Sequence, residues 1–126
     1  MLILRTGVDL VEIHRLEALS PAIRERFIRR ALTEREQADA GDSLQSVAGR
    51  VAAKEAVAKA LGCGIGPLGW HSIEVERAEG GAPHVRLHGK AQAEAERLGL
   101  RQWSLSISHT REHAVAVAVA AGLESP

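Results

Sequence analysis

Aromatic side chains are nearly missing from this chain of 126 residues, which has one Phe, two Trp and no Tyr. Proteins that bind single-stranded nucleic acid stack bases on aromatic platforms, so that mode is disfavoured. Neither sign of charge is in excess. Sixteen Lys+Arg balance sixteen Asp+Glu, which leaves no electrostatic footprint for duplex DNA. The lone Cys63 excludes an internal disulfide and a zinc site made of several thiolates. No apolar run approaches the ~20 residues that span a bilayer, so a membrane role is not expected. The opening MLILRTGVDLVEI is apolar but contains Asp9 and Glu12. It lacks a basic region and a small-residue cleavage site, so it does not read as a signal peptide, and the expected compartment is the cytoplasm. With 45% apolar and 25% charged residues, the chain reads as one compact globular domain over residues 1–126.

The pattern along the chain predicts an α+β fold, an antiparallel sheet packed on a long central helix. LILRTGVDL, residues 2–10, is β-branched and apolar and predicts a buried strand. Ile13, Leu16 and Leu19 then predict a short helix. Ser20 and Pro21 form an N-cap with proline in the first turn of the next. Thr33 and Glu36 form a capping box for a third. Asp42 or Ser43 caps the longest helix, from about Leu44 to Leu61, with Leu44, Val47, Ala48, Val51 and Ala58 on one face and Gly62 as its stop. The tract GCGIGPLGW predicts a loop. HSIEVERA and HVRLHG predict strands joined by a GGAP turn, KAQAEAERLG a helix, and WSLSISHT and HAVAVAVA a strand pair. The Ala/Val-rich last strand suits packing around a subunit axis, and an internal core strand would look the same.

Three constellations carry chemistry. The first is AGRVAAKEAVAKALG. Glu55 falls in the apolar stripe, where a carboxylate must be paired, metal-bound or protonated. Lys59 is one turn on, and Arg50 and Lys54 share an adjoining face. An ordinary i, i+4 ion pair would give the same spacing. Against that, the chain has three lysines and this helix holds Lys54 and Lys59. Asp9, near the end of the first strand, is either a turn residue or a carboxylate facing a site. Magnesium bound to phosphates takes one or two protein carboxylates, which Asp9 and Glu55 would supply if they meet. The second constellation is SISHT, where His109 and Thr110 could bind phosphate or metal, or be merely satisfied. There is no G-x-S-x-G for a serine hydrolase and no Walker A loop. The third is RERFIRR, a basic helix that is either a solvated face or a docking site for an acidic protein.

Four segments in order, GVDLVEIHRLE, RFIRRALTEREQ, AGRVAAKEAVAKALGCGIG and SISHTREHAVAVAV, resemble the short bacterial holo-acyl-carrier-protein synthases of the 4′-phosphopantetheinyl transferase superfamily. The likeness runs from residue 6 to residue 120, and GGAPHVRLHGKA is similar to the family's G-x-P segment. The resemblance implies Mg²⁺ held by Asp9 and Glu55, and coenzyme A as substrate. It places Arg50, Lys54, Lys59, Gly62, His109 and Thr110 around the phosphates and nucleotide, with Gly81 and Pro83 at the adenine side. Arg15, Arg26, Phe27 and Arg30 match the surface that docks the acidic acyl carrier protein. It also implies homotrimers with active sites between subunits, and the catalytic set Glu55, Lys59 and Asp9. The family pattern has Phe where Val51 stands, and lysine is common where Ala82 stands. Two other readings use the same residues: a Mg²⁺-dependent nucleotide pyrophosphate hydrolase, and a non-catalytic protein-binding module.

Overall fold

The computed structural model describes residues 1–77 and 80–124. A long strand β1 (Leu2–Glu12) leads into three helices, α1 (Ile13–Glu17), α2 (Pro21–Ala31) and α3 (Glu34–Ala40). The long helix α4 (Leu44–Leu61) follows, then the single turn α5 (Ile65–Leu68) and a 3₁₀ turn at Trp70–Ser72. Strands β2 (Ile73–Arg77) and β3 (Pro83–Leu87), helix α6 (Gly89–Arg97), and strands β4 (Leu100–His109) and β5 (His113–Leu123) complete the chain. The strands form two antiparallel sheets, β1-β5-β4 and β2-β3. The expected α+β architecture is therefore present, with α4 packed against both β1 and β5.

Local chemistry sets the helix ends. Ser20 Oγ accepts from the Ile23 amide at the start of α2. Thr33 and Glu36 make the reciprocal capping box of α3. Ser43, rather than Asp42, caps α4 by accepting from the Ser46 amide. Gly62 ends α4 in the left-handed conformation, a backbone state that glycine adopts without steric cost.

The core lies between α4 and the three-stranded sheet. On β5, Ala114, Ala116, Ala118 and Ala120 all point inward and are fully buried. Their small side chains let α4 lie close to the sheet. At the β1 crossing the approach is closer still, because a Cβ at Gly7 would run into the Ala56 carbonyl oxygen and the Ala60 amide. This backbone contact seats the middle of β1 directly on the fourth and fifth turns of α4.

Three expectations need correction. Residues 2–10 are not a strand buried on both faces: Leu2, Leu4, Val8 and Leu10 are exposed. The strand alternates because one face covers α4 and the other faces outward. The GCGIGPLGW tract is not wholly loop, since it folds into α5 and enters the 3₁₀ turn at Trp70. Nor does α4 bury one stripe: it is buried on nearly every side. Leu44, Val47, Ala48 and Val51 pack into one apolar cluster and Ala58 into another.

Candidate active site

The crossing of β1 over α4 assembles the first group. Lys59 Nζ donates to Asp9 Oδ1 at 3.1 Å and to the Val8 carbonyl at 3.0 Å. Glu55 lies one turn earlier on the same side of α4 and is half-buried. Burial pushes its carboxyl above the ordinary value, and the nearby Asp9 charge raises it further, while Lys59 opposes both. The two acids that the sequence placed far apart thus share one electrostatic neighbourhood. Among the described residues no group of three or more His, Cys, Asp or Glu could hold a metal unaided. Two carboxylates with one ammonium between them do suit a divalent cation whose remaining ligands are water and phosphate oxygens. Their mutual repulsion is the charge that such a cation would neutralise.

A second group lines a cleft of about 200 Å³ between α4, the β2–β3 hairpin and the end of β4. Arg50, Gly81, Pro83 and His109, read from separate segments of the sequence, all border it. Gln45, Ser46, Gly49, Val75, Glu76, Arg77 and Ile107 complete the lining. Arg50 is only 6% exposed. Its Nη1 donates to the Ser46 carbonyl at 3.3 Å, and its Nε is buried without a hydrogen-bond partner. Burial first, then the like charge of Arg77, holds this guanidinium below its usual range. The acidic Glu76 does not offset these cations freely, because its carboxylate is engaged by Arg35 at 3.2 Å and Arg86 at 3.0 Å. The result is a cationic cleft with an unsatisfied donor, a fit for a phosphorylated ligand. The part played by Arg77 escaped the sequence reading, since a basic residue ending a strand carries no distinguishing pattern.

The remaining expected ligands lie elsewhere. Gly62 is the α4 terminus, with the Arg5 guanidinium close by. The Thr110 hydroxyl shapes the β4–β5 turn, accepting from the Glu112 and His113 amides at 3.3 and 3.2 Å. Lys54 must be removed from the phosphate-binding set. Its side chain is fully buried and paired with Glu36, and its ammonium also donates to the Ala31 carbonyl at 2.7 Å and the Trp70 carbonyl at 3.0 Å. Three protein acceptors consume its three donors, so none is left for a ligand.

The basic helix is present and partly free. Arg26 and Arg30 are exposed on α2, and Arg15 is exposed on α1 beside Glu12 at 3.7 Å. Phe27 is less free than its place in a docking surface implied. It packs edge-on against Trp70, with ring centroids 6.0 Å apart. Arg24 is a clamp, donating to the Leu16, Glu17 and Leu19 carbonyls and thereby fixing α2 to the end of α1.

Comparison with known proteins bears on the family and the fold. The sequence profile of the 4′-phosphopantetheinyl transferase superfamily matches residues 5–118. A holo-[acyl-carrier-protein] synthase of Herpetosiphon aurantiacus is 47% identical over 93% of this chain and 98% of its own length. The crystal structure of the Helicobacter pylori holo-[acyl-carrier-protein] synthase in complex with coenzyme A superposes with a TM-score of 0.82 at 33% identity, covering 91% of this chain and 98% of that one. The Bacillus anthracis synthase, in complex with CoA (3′,5′-ADP), does so at 0.77 with 34% identity over 98% and 100% of the two chains. With its profile matched over nearly the whole length and its fold shared with these synthases, the chain belongs to the 4′-phosphopantetheinyl transferase superfamily.

Proposed function

We propose that this chain transfers the 4′-phosphopantetheine group of coenzyme A to a serine hydroxyl of an apo-acyl carrier protein, releasing adenosine 3′,5′-bisphosphate. The observation that carries this reading is the cationic cleft, which gathers Arg50, Gly81, Pro83 and His109 around one space. Arg50 supplies positive charge, Arg50 and His109 supply donors for the phosphates of coenzyme A, and the Gly81–Pro83 turn flanks its adenine.

The reaction forms a bond between the serine oxygen and the phosphorus that bears pantetheine, and breaks the bond from that phosphorus to the bridging pyrophosphate oxygen. A serine hydroxyl is a weak nucleophile and needs a base within reach. Glu55 is placed to take its proton, directly or through a bound water. Lys59 stabilises the negative charge left on the departing phosphate. Asp9 and Glu55 would hold Mg²⁺, which when bound neutralises the pyrophosphate. Arg15, Arg26, Phe27 and Arg30 form the surface that meets the acidic carrier.

We further propose a homotrimer in the cytoplasm, with sites shared between copies. At about 3.6 residues per turn, Arg50 and Glu55 lie roughly 140° apart around α4. The cleft and the acidic group therefore face different sides of one protomer, and a neighbour is required to bring them together. The outward face of the sheet offers the contact: Leu2, Leu4, Val8 and Leu10 of β1 and Val117, Val119 and Leu123 of β5 are exposed. Val8 sits opposite Val117 in the β1–β5 register. A contiguous apolar face of this kind marks an association surface.

Incubating the protein with apo-carrier, coenzyme A and Mg²⁺, read by intact mass, tests the assignment. A mass gain on the carrier that disappears without metal is expected. Coenzyme A cleavage with no mass gain would assign a pyrophosphate hydrolase instead.

A further inference from the structure

The buried pair Glu36–Lys54 is not used by the transfer chemistry. Both side chains are fully buried, and such pairs contribute little net stability because desolvation offsets the attraction. The gain lies in what the pair touches. One carboxylate oxygen of Glu36 accepts from the Thr33 amide at 2.8 Å, and the other accepts from the Val75 amide at 2.8 Å. Val75 belongs to β2 and lines the cationic cleft, with Glu76 and Arg77 beside it. Lys54 Nζ donates to the Ala31 carbonyl, at the last turn of α2, and to the carbonyl of Trp70, whose ring supports Phe27. One ion pair therefore fastens the cleft wall, the basic helix and α4 to each other, using polar groups that would otherwise be buried unsatisfied.

We infer that Glu36 and Lys54 are positioning residues that fix the coenzyme A cleft and the carrier-docking helix in one relative geometry. This rests on the transferase reading above. Neither residue touches a substrate, since Lys54 has no donor to spare and neither side chain is exposed. Their effect is expected on the binding of both substrates and not on the bond-making step.

The test uses the full chain and the double variant Glu36→Gln/Lys54→Met, which removes both charges while keeping similar shapes. Replacing both partners avoids the stranded charge that either single change would leave. Expected is a cooperatively folded protein with KM for coenzyme A and for apo-carrier each raised about tenfold and kcat within about threefold of wild type. A folded double variant with wild-type KM values would mean that the pair serves stability alone, and overturns the proposal. A collapse of kcat at unchanged KM overturns it as well, by placing the pair in the chemistry. Should the double variant not fold, amide exchange on the wild-type protein decides. Adenosine 3′,5′-bisphosphate is then expected to protect the Leu32 amide at the end of α2 together with the Val75 amide, and protection confined to β2 counts as refutation. Wild-type protein that neither modifies carrier nor binds the bisphosphate brings down the transferase reading and this proposal together, whereas the outcomes above with an active wild type bear on the pair alone.

Discussion

Lys59 Nζ stands 3.1 Å from Asp9 Oδ1, so a side chain of α4 reaches across to the strand that covers it. The contact holds Asp9 at the turn of the helix that follows Glu55, close enough for its charge to act on that carboxyl. Asp9→Asn and Glu55→Gln are each expected to reduce transfer by roughly 100-fold or more at saturating Mg²⁺, and Lys59→Ala to act mainly on kcat. Steady-state transfer assays check this, and full activity in either acid variant would remove the metal assignment.

The raised carboxyl of Glu55 links stability to pH. A carboxyl that binds its proton more tightly in the folded state loses stability as pH rises from the ordinary carboxylate value through the raised one. The cost is absent below that window and complete above it. Glu55→Gln is therefore expected to melt at a higher temperature than wild type near pH 8 and at the same temperature near pH 3, where both side chains are neutral. Mg²⁺ should raise the melting temperature of wild type and leave that of the variant unmoved. Thermal scans at the two pH values, with and without metal, give the answer.

Charge reversal on the docking surface should separate the two substrates. Arg15→Glu and Arg26→Glu are expected to raise KM for the carrier about tenfold, near 1.4 kcal/mol, with little change for coenzyme A. The effect should shrink as salt is added. Equal changes for both substrates would point to a general loss of structure instead.

Gly7 is the position where the crossing of β1 over α4 leaves no room for a side chain. Gly7→Ala is expected to destabilise the fold by about 3 kcal/mol or more, because the methyl group meets backbone that cannot turn aside. Denaturant unfolding measures it. Any folded fraction should show weakened metal response, since Asp9 is carried away from Glu55.

If the acids come from one copy and the cleft from another, two dead variants can complement each other. Asp9→Ala mixed with Arg50→Ala, after exchange of subunits, is expected to regain about a quarter of wild-type activity, the share of interfaces that pair two intact halves. Val117→Asp, on the outward sheet face, should abolish both assembly and recovery. Light scattering with the activity assay reads both.

Much of this architecture could be read before any coordinates. The caps at Ser20, Thr33 and Gly62 are local codes, and each marks a helix end in the structure. Asp9 and Glu55 could be singled out because a charge in an apolar pattern demands a partner, and Arg50 by its place one turn from Lys54 together with the family likeness. Lys54 was misplaced for the opposite reason. Its partners, Glu36, Ala31 and Trp70, lie 16 or more residues away along the chain, and helical spacing says nothing about contacts of that range. The outward face of β1 was also hidden, since apolar residues look alike whether they meet a core or a second copy of the chain. Arg77 joined the cleft only through the pairing of β2 with β3.

If sites are shared between copies, the divergent directions of Arg50 and Glu55 on α4 make competence a property of the assembly. On the trimer reading, an isolated copy owns two incomplete halves and cannot turn over, however well it folds. Specific rate would then decline on dilution, steeply once subunits part. A cell making too little of this protein would lose carrier loading faster than it loses the polypeptide.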